Sequence, residues 1–189
     1  MTDWVLRSSR VITPQGTGPQ SIHVLGERIE RVVAHGNVPA QVPIVDVGND
    51  VVMPGVVDTH VHLNEPGRTD WEGFETGTRA AAAGGVTSIV EMPLNSIPAT
   101  TDAARLGLKM SSTRDQLRAD VGFWGGVVPG NAAELEPLWN AGAFGFKCFL
   151  VPSGVAEFGH VGETDLRVDR KSTRLNSSHI QKSRMPSSA

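Results

Sequence analysis

The chain has 189 residues, 39% of them hydrophobic and 20% charged, with a formal charge of −3. These values are those of an ordinary globular protein with room for a sizeable core. No run of 18 or more apolar residues occurs, and the Met1-Thr-Asp-Trp start has neither a basic nor an apolar leader segment. These features argue against membrane insertion and secretion, and a cytoplasmic location is expected. Lys and Arg number 12 against 19 Asp and Glu up to residue 168, then 5 against 1 beyond it. An acidic body without a basic stripe gives nucleic acid no footing. The single cysteine, Cys148, forms no internal disulfide and reads as a small buried hydrophobe.

Residues 4–12, 20–25 and 29–34 are short stretches containing Val, Ile and Leu, separated by turn-forming segments, and predict antiparallel strands. They make residues 1–50 a small β unit. Pro39, Pro43 and Gly48 mark a transition, after which strands and helices alternate over residues 51–168. A strand is expected over 51–62, a helix over 71–83 ending at Gly84-Gly85, and a strand over 86–92. A helix over 101–118, a strand over 121–128, a helix over 132–141 and a strand over 144–150 follow. The class is α/β, with parallel strands joined by right-handed crossovers. Four such units make either half of an eight-unit barrel or the core of an open doubly wound sheet. No Gly-x-Gly-x-x-Gly follows the first parallel strand, which lowers the dinucleotide-binding reading. Residues 169–189 hold six Ser and five basic residues without apolar periodicity, so they are expected to be a disordered, non-native tail.

The chemistry-bearing residues sit at the ends of the strands. His60 and His62 are two apart in an extended segment and point the same way, a geometry that chelates a divalent metal. A pair of hydrogen-bonded strand histidines is the competing reading. Lys147 lies among Phe144, Phe146, Phe149 and Leu150. Burial there favours the neutral amine, which reacts with carbon dioxide to give a carbamate whose oxygens bridge two metals. The competing reading pairs Lys147 with a neighbouring carboxylate such as Glu91. Asp58 alternates in phase with the histidines and either orients an imidazole or is structural. Arg68, in the loop 65–70, either shields the site or pairs with Asp70 or Glu72. His23, His35 and His160 read as structural or exposed, and the tryptophans at 4, 71, 124 and 139 as packing residues.

Three segments taken together are specific: Pro54-Gly-Val-Val-Asp-Thr-His-Val-His62, Asn64-Glu-Pro-Gly-Arg-Thr-Asp-Trp-Glu-Gly-Phe-Glu-Thr-Gly-Thr78 and Glu91-Met-Pro-Leu-Asn-Ser-Ile-Pro98. The chain resembles the cyclic amidohydrolases over residues 1–167, and most closely their allantoin-hydrolysing branch. The resemblance implies the first half of a metal-dependent (β/α)8 TIM barrel, preceded by part of a small β-sandwich domain. It implies two divalent metal ions, zinc in the first place, with His60 and His62 on one metal and carboxylated Lys147 bridging the pair. Two further histidines and an aspartate acting as general base would come from later strands. The reaction implied is (S)-allantoin plus water giving allantoate, with a homo-oligomeric, tetrameric full-length enzyme and no nucleic-acid or membrane partner. Dihydroorotases of this family commonly carry Arg at the position of Asn64, where it binds a substrate carboxylate. Asn64 and Asn95 are accordingly candidates for hydrogen bonding an uncharged cyclic ureide, with turn formation as the alternative. Hydantoinase or dihydropyrimidinase, dihydroorotase and a non-enzymatic relative are the other readings. With the later strands absent, the piece is expected to be inactive on its own.

Overall fold

The computed structural model describes residues 2–172, and it divides the chain into two compact units, Met1–Pro54 and the residues from Gly55 onward. The first unit is one five-stranded sheet. Its strands are β1 (Trp4–Thr13), β2 (Gly16–Leu25), β3 (Arg28–Ala34), β4 (Ile44–Asp46) and β5 (Val51–Val52). The order is β3-β2-β1-β4, with β5 also on β1. β1, β2 and β3 pair antiparallel as the turn-bounded stretches predict, whereas β4 and β5 add parallel to β1. Val5, Val11 and Ile22 are buried in this sheet. His23 is fully buried beside them, with its ring nitrogens 3.0 Å from the Asn37 carbonyl and 3.2 Å from the Thr2 hydroxyl. Those contacts satisfy both nitrogens, so His23 is structural.

The second unit alternates strands and helices: β6 (Val56–Val61), α1 (Phe74–Ala83), β7 (Val86–Glu91), α2 (Ala103–Ser112), β8 (Asp120–Phe123), β9 (Gly125–Gly126), α3 (Leu135–Asn140), β10 (Phe146–Lys147) and α4 (Glu163–Ser172). β6-β7-β8 and β9-β10 all pair parallel. Helix ends follow local chemistry. The Asp102 carboxylate caps α2 by accepting from the Arg105 N–H at 2.8 Å, and α1 runs into Gly84, with Gly85 at φ 80° turning the chain into β7. α1 has no capping side chain of its own at Gly73, and the Glu65 carboxylate in the preceding loop accepts from the Phe74 N–H at 3.0 Å instead.

Two expected strands are each broken in two. The segment 51–62 divides at Met53-Pro54-Gly55 into β5 and β6, because proline offers no N–H for a ladder. The segment 121–128 divides at Trp124, where pairing passes from β7 to β10. There the indole N–H donates to the Thr59 carbonyl at 2.9 Å. The core under the strands holds Leu63, Phe74, Ile89, Leu106, Phe123, Leu138 and Ala143. A second cluster of Met92, Leu94, Ala99 and Phe158 packs the loops beyond β7 and β10. α4 reaches four residues into the segment expected to be a tail from 169 onward, and the rest of that segment lies outside the described residues. Among the described residues no helix is long and apolar enough to cross a membrane.

Candidate functional site

β6 and β10 bring their C-terminal ends together. His60, near the end of β6, has Nε2 3.4 Å from the Lys147 Nζ on β10, and the rings of His60 and His62 have centroids 5.6 Å apart, tilted by 49°. The structure therefore gathers the three residues that the sequence singled out for metal binding, although Lys147 lies 87 residues beyond His60. Asn64 lies two residues after His62 and is buried, its backbone carbonyl accepting from the Arg68 N–H at 3.0 Å while its side-chain oxygen has no hydrogen-bond partner among the described residues. Asn95, on the loop after β7, has its side-chain nitrogen 3.3 Å from His62 Nδ1. All five candidates thus lie at one end of the parallel strands. Parallel α/β folds collect their chemistry at that end.

The electrostatics of the cluster favour neutral nitrogen donors. Burial, reinforced by the charge of Lys147, draws the His60 imidazole below its usual value, with Asp58 opposing. His62 falls further, to about 4, again through burial first and the Lys147 and His60 charges next. Burial also lowers Lys147, and the Glu91 charge acts against that shift. No described carboxylate forms an ion pair with Lys147, whose Nζ lies 5.0 Å over the Phe149 ring. Two neutral imidazoles are suitable ligands for a borderline-soft divalent ion, and the lysine beside them has no carboxylate partner among the described residues. Among the described residues no group of three or more His, Cys, Asp or Glu could hold a metal, so the imidazole and carboxylate donors present number only two here.

The alternative partner for Lys147 does not take it. Glu91 is fully buried at the end of β7 and accepts from Lys109 of α2 at 2.5 Å, and the same Nζ donates to the Met92 carbonyl at 3.1 Å. Burial pushes Glu91 up to about 7 and draws Lys109 down, each shift opposed by the charge of the other. Lys109 was not among the candidates from sequence. Its signal was its place on the Leu106 face of an amphipathic helix, three residues on.

Arg68 departs from its expected pairing. It takes neither Asp70 nor Glu72 but pairs with Glu157, and its Nη1 also donates to the Asn95 carbonyl at 2.7 Å. Glu157, another residue that sequence reasoning passed over, is held below the usual carboxylate range by that hydrogen bond. Asp58 accepts from the backbone N–H of His60 at 3.0 Å and is exposed, so its contact is with the main chain. Trp71 is 59% exposed under the Arg68 guanidinium, and Trp4 and Trp139 are also exposed, so none of these three is a core residue. His160 is exposed and His35 half-buried. A cleft of about 680 Å³ lies at the opposite strand ends, lined by residues such as Val86, Leu117, Arg118 and Val121, and none of the candidates borders it.

Known proteins resemble this chain in sequence and in fold. Residues 51–171 match the model of the amidohydrolase family. An allantoinase of Streptomyces avermitilis is 55% identical over 163 residues, which are 86% of this chain and 37% of the relative. A protein named mitochondrial allantoinase from Aquarana catesbeiana is 52% identical over 86% of this chain and 34% of its own length. The L-hydantoinase (dihydropyrimidinase) of Arthrobacter aurescens superposes with a TM-score of 0.82 at 31% identity, over 89% of this chain and 38% of that one. The chain thus spans about a third of the length of the curated relatives it matches. Its α/β units are those of the amidohydrolase TIM barrel, as the sequence resemblance implied.

Proposed function

Because the chain belongs to the amidohydrolase family, we propose that the enzyme built on it opens a five-membered cyclic ureide, (S)-allantoin plus water giving allantoate. The observation that carries this reading is the convergence of His60, His62 and Lys147 at one end of the parallel strands, in a chain whose relatives are named allantoinase. His60 and His62 would hold one divalent ion, zinc by the nitrogen character of the donors. Lys147, its amine already favoured by burial, would add carbon dioxide at Nζ and release a proton, and the resulting carbamate would bridge to a second ion. Bound there, the ions would supply a water ionised near neutral pH and polarise the ring carbonyl.

The remaining work falls to the chain's own residues. Asn64 has a buried side-chain oxygen without a partner among the described residues, an acceptor that would suit a ring N–H of the ureide. An asparagine here offers no charge, which suits a ring without a carboxylate. Asn95, on the loop after β7, sets its side-chain nitrogen 3.3 Å from His62 Nδ1 and would be a second polar contact for the ring. A hydantoin ring is the second reading, supported by the likeness to the L-hydantoinase. Steady-state assays of the complete enzyme on allantoin, hydantoin and dihydroorotate separate the two. Allantoin is expected to show the highest kcat/KM, and a higher value on either of the others would overturn the assignment.

A further inference from the structure

Arg68 borders both asparagines proposed to meet the ring. Its backbone N–H donates to the Asn64 carbonyl at 3.0 Å, and its Nη1 donates to the Asn95 carbonyl at 2.7 Å. The same Nη1 donates to the Glu157 carboxylate, so a charge pair drawn from the loops after β6 and β10 stands beside the candidate site. The guanidinium lies 4.8 Å over the Trp71 ring, a contact that steadies the fork on one side. Every hydrogen bond of this side chain to a described residue leaves from Nη1, so the N–H groups of Nε and Nη2 remain for a ligand. A carboxylate likewise accepts more than one bond. The Arg68 side chain is 20% exposed and that of Glu157 27%, so both ends of the pair can be reached from solvent. The pair is neutral as a whole, yet it presents donors at one end and acceptor lone pairs at the other.

We propose that Arg68 and Glu157 form the subsite for the ureido arm of allantoin. Allantoin is a hydantoin ring carrying that arm, so the arm, rather than the ring, separates the two substrates weighed above. Its carbonyl oxygen accepts from Nε or Nη2 of Arg68, and an N–H of its terminal amide donates to the Glu157 carboxylate. Both bonds are charge-assisted on the protein side, while the ligand itself stays uncharged. An apolar arm of the same shape would strip water from the guanidinium and the carboxylate without replacing its hydrogen bonds. Selection of this kind is strong because it acts through the polar groups that the wrong substrate leaves unpaired. The inference rests on the reading that allantoin is the substrate.

The test uses the complete enzyme that carries this chain, assayed on allantoin, on hydantoin and on isobutyl-substituted hydantoin, whose arm has the shape of the ureido group without its polar atoms. A ring that is not turned over is scored by its inhibition of allantoin hydrolysis. Arg68→Met is expected to lower kcat/KM on allantoin relative to the isobutyl compound about tenfold or more, the loss of a hydrogen bond to a charged group. Glu157→Leu, at the more exposed end of the pair, should lower the same ratio, and the double variant should favour the isobutyl arm. Equal losses on every ring, as a pair that only ties loops together would give, would overturn the inference and leave the allantoin reading intact. Should Arg68→Met fail to fold, an unchanged ratio in Glu157→Leu does the same. Wild-type enzyme that handles hydantoin or the isobutyl compound as well as allantoin overturns the substrate reading and the inference with it.

Discussion

Lys109 and Lys147 both lie within electrostatic reach of Glu91, yet they occupy regions built on opposite principles. In the packed floor beneath the strand ends, Lys109 is fully buried and has a carboxylate at 2.5 Å and a carbonyl at 3.1 Å. At the mouth, Lys147 is half-buried, with an imidazole nitrogen at 3.4 Å and a phenyl ring as its neighbours. The carboxylate that could have neutralised Lys147 is already engaged by Lys109. A floor with its charges paired and a mouth with its amine unpaired is the arrangement expected where one region supports and the other reacts.

The contrast can be broken first at the mouth. Lys147→Met keeps the bulk and removes the amine, so hydrolysis by the complete enzyme should fall to background while the urea midpoint, compared with wild type after both are stripped of metal, holds or rises slightly. A parallel loss of stability would mean that Lys147 is structural after all. The floor should respond in the opposite sense. Glu91→Ala leaves Lys109 as a buried unpaired charge and should cost about 3–5 kcal/mol in urea unfolding, most of it recovered when Lys109→Met is added. Leu106→Ala, which deletes a fully buried side chain from the core next to this pair, should cost about 2–5 kcal/mol and leave the metal content unchanged.

The smallest effect concerns pH. Arg68 holds Glu157 below its ordinary value of 4.5, so the unfolded chain takes up that proton first as the solution is acidified. The pair's contribution is complete above about 4.5 and is lost as pH falls through the depressed folded value. Stability curves of wild type and Glu157→Gln should therefore converge only in that acid range. Because both side chains remain partly open to solvent, the difference at neutral pH should be small.

Much of the architecture was legible because long elements carry a period. β1 to β3 showed turn-bounded apolar runs, and α1, β7 and α2 alternated as parallel units do. β4 and β5, three and two residues long, are too short to show a period and exist only because β1 offers an edge. The breaks at Pro54 and Trp124 lie where pairing changes partner, which depends on tertiary neighbours more than on local pattern. In the site, His60 and His62 were legible from two-residue spacing on a strand. The pairing of Arg68 was not, since Glu157 lies 89 residues away and both Asp70 and Glu72 are nearer in sequence. Nor was the diversion of Glu91 to Lys109, because a lysine on an amphipathic helix ordinarily reaches solvent.

A divalent-metal site made by His60, His62 and a carbamate on Lys147 would leave a direct chemical signature. The complete enzyme, prepared metal-replete in 13C-labelled bicarbonate, should retain bound metal after desalting and show a labelled carbamate carbon, both absent from Lys147→Met. Wild-type enzyme that emerges without metal, or with metal and carbamate unchanged in Lys147→Met, would contradict the account.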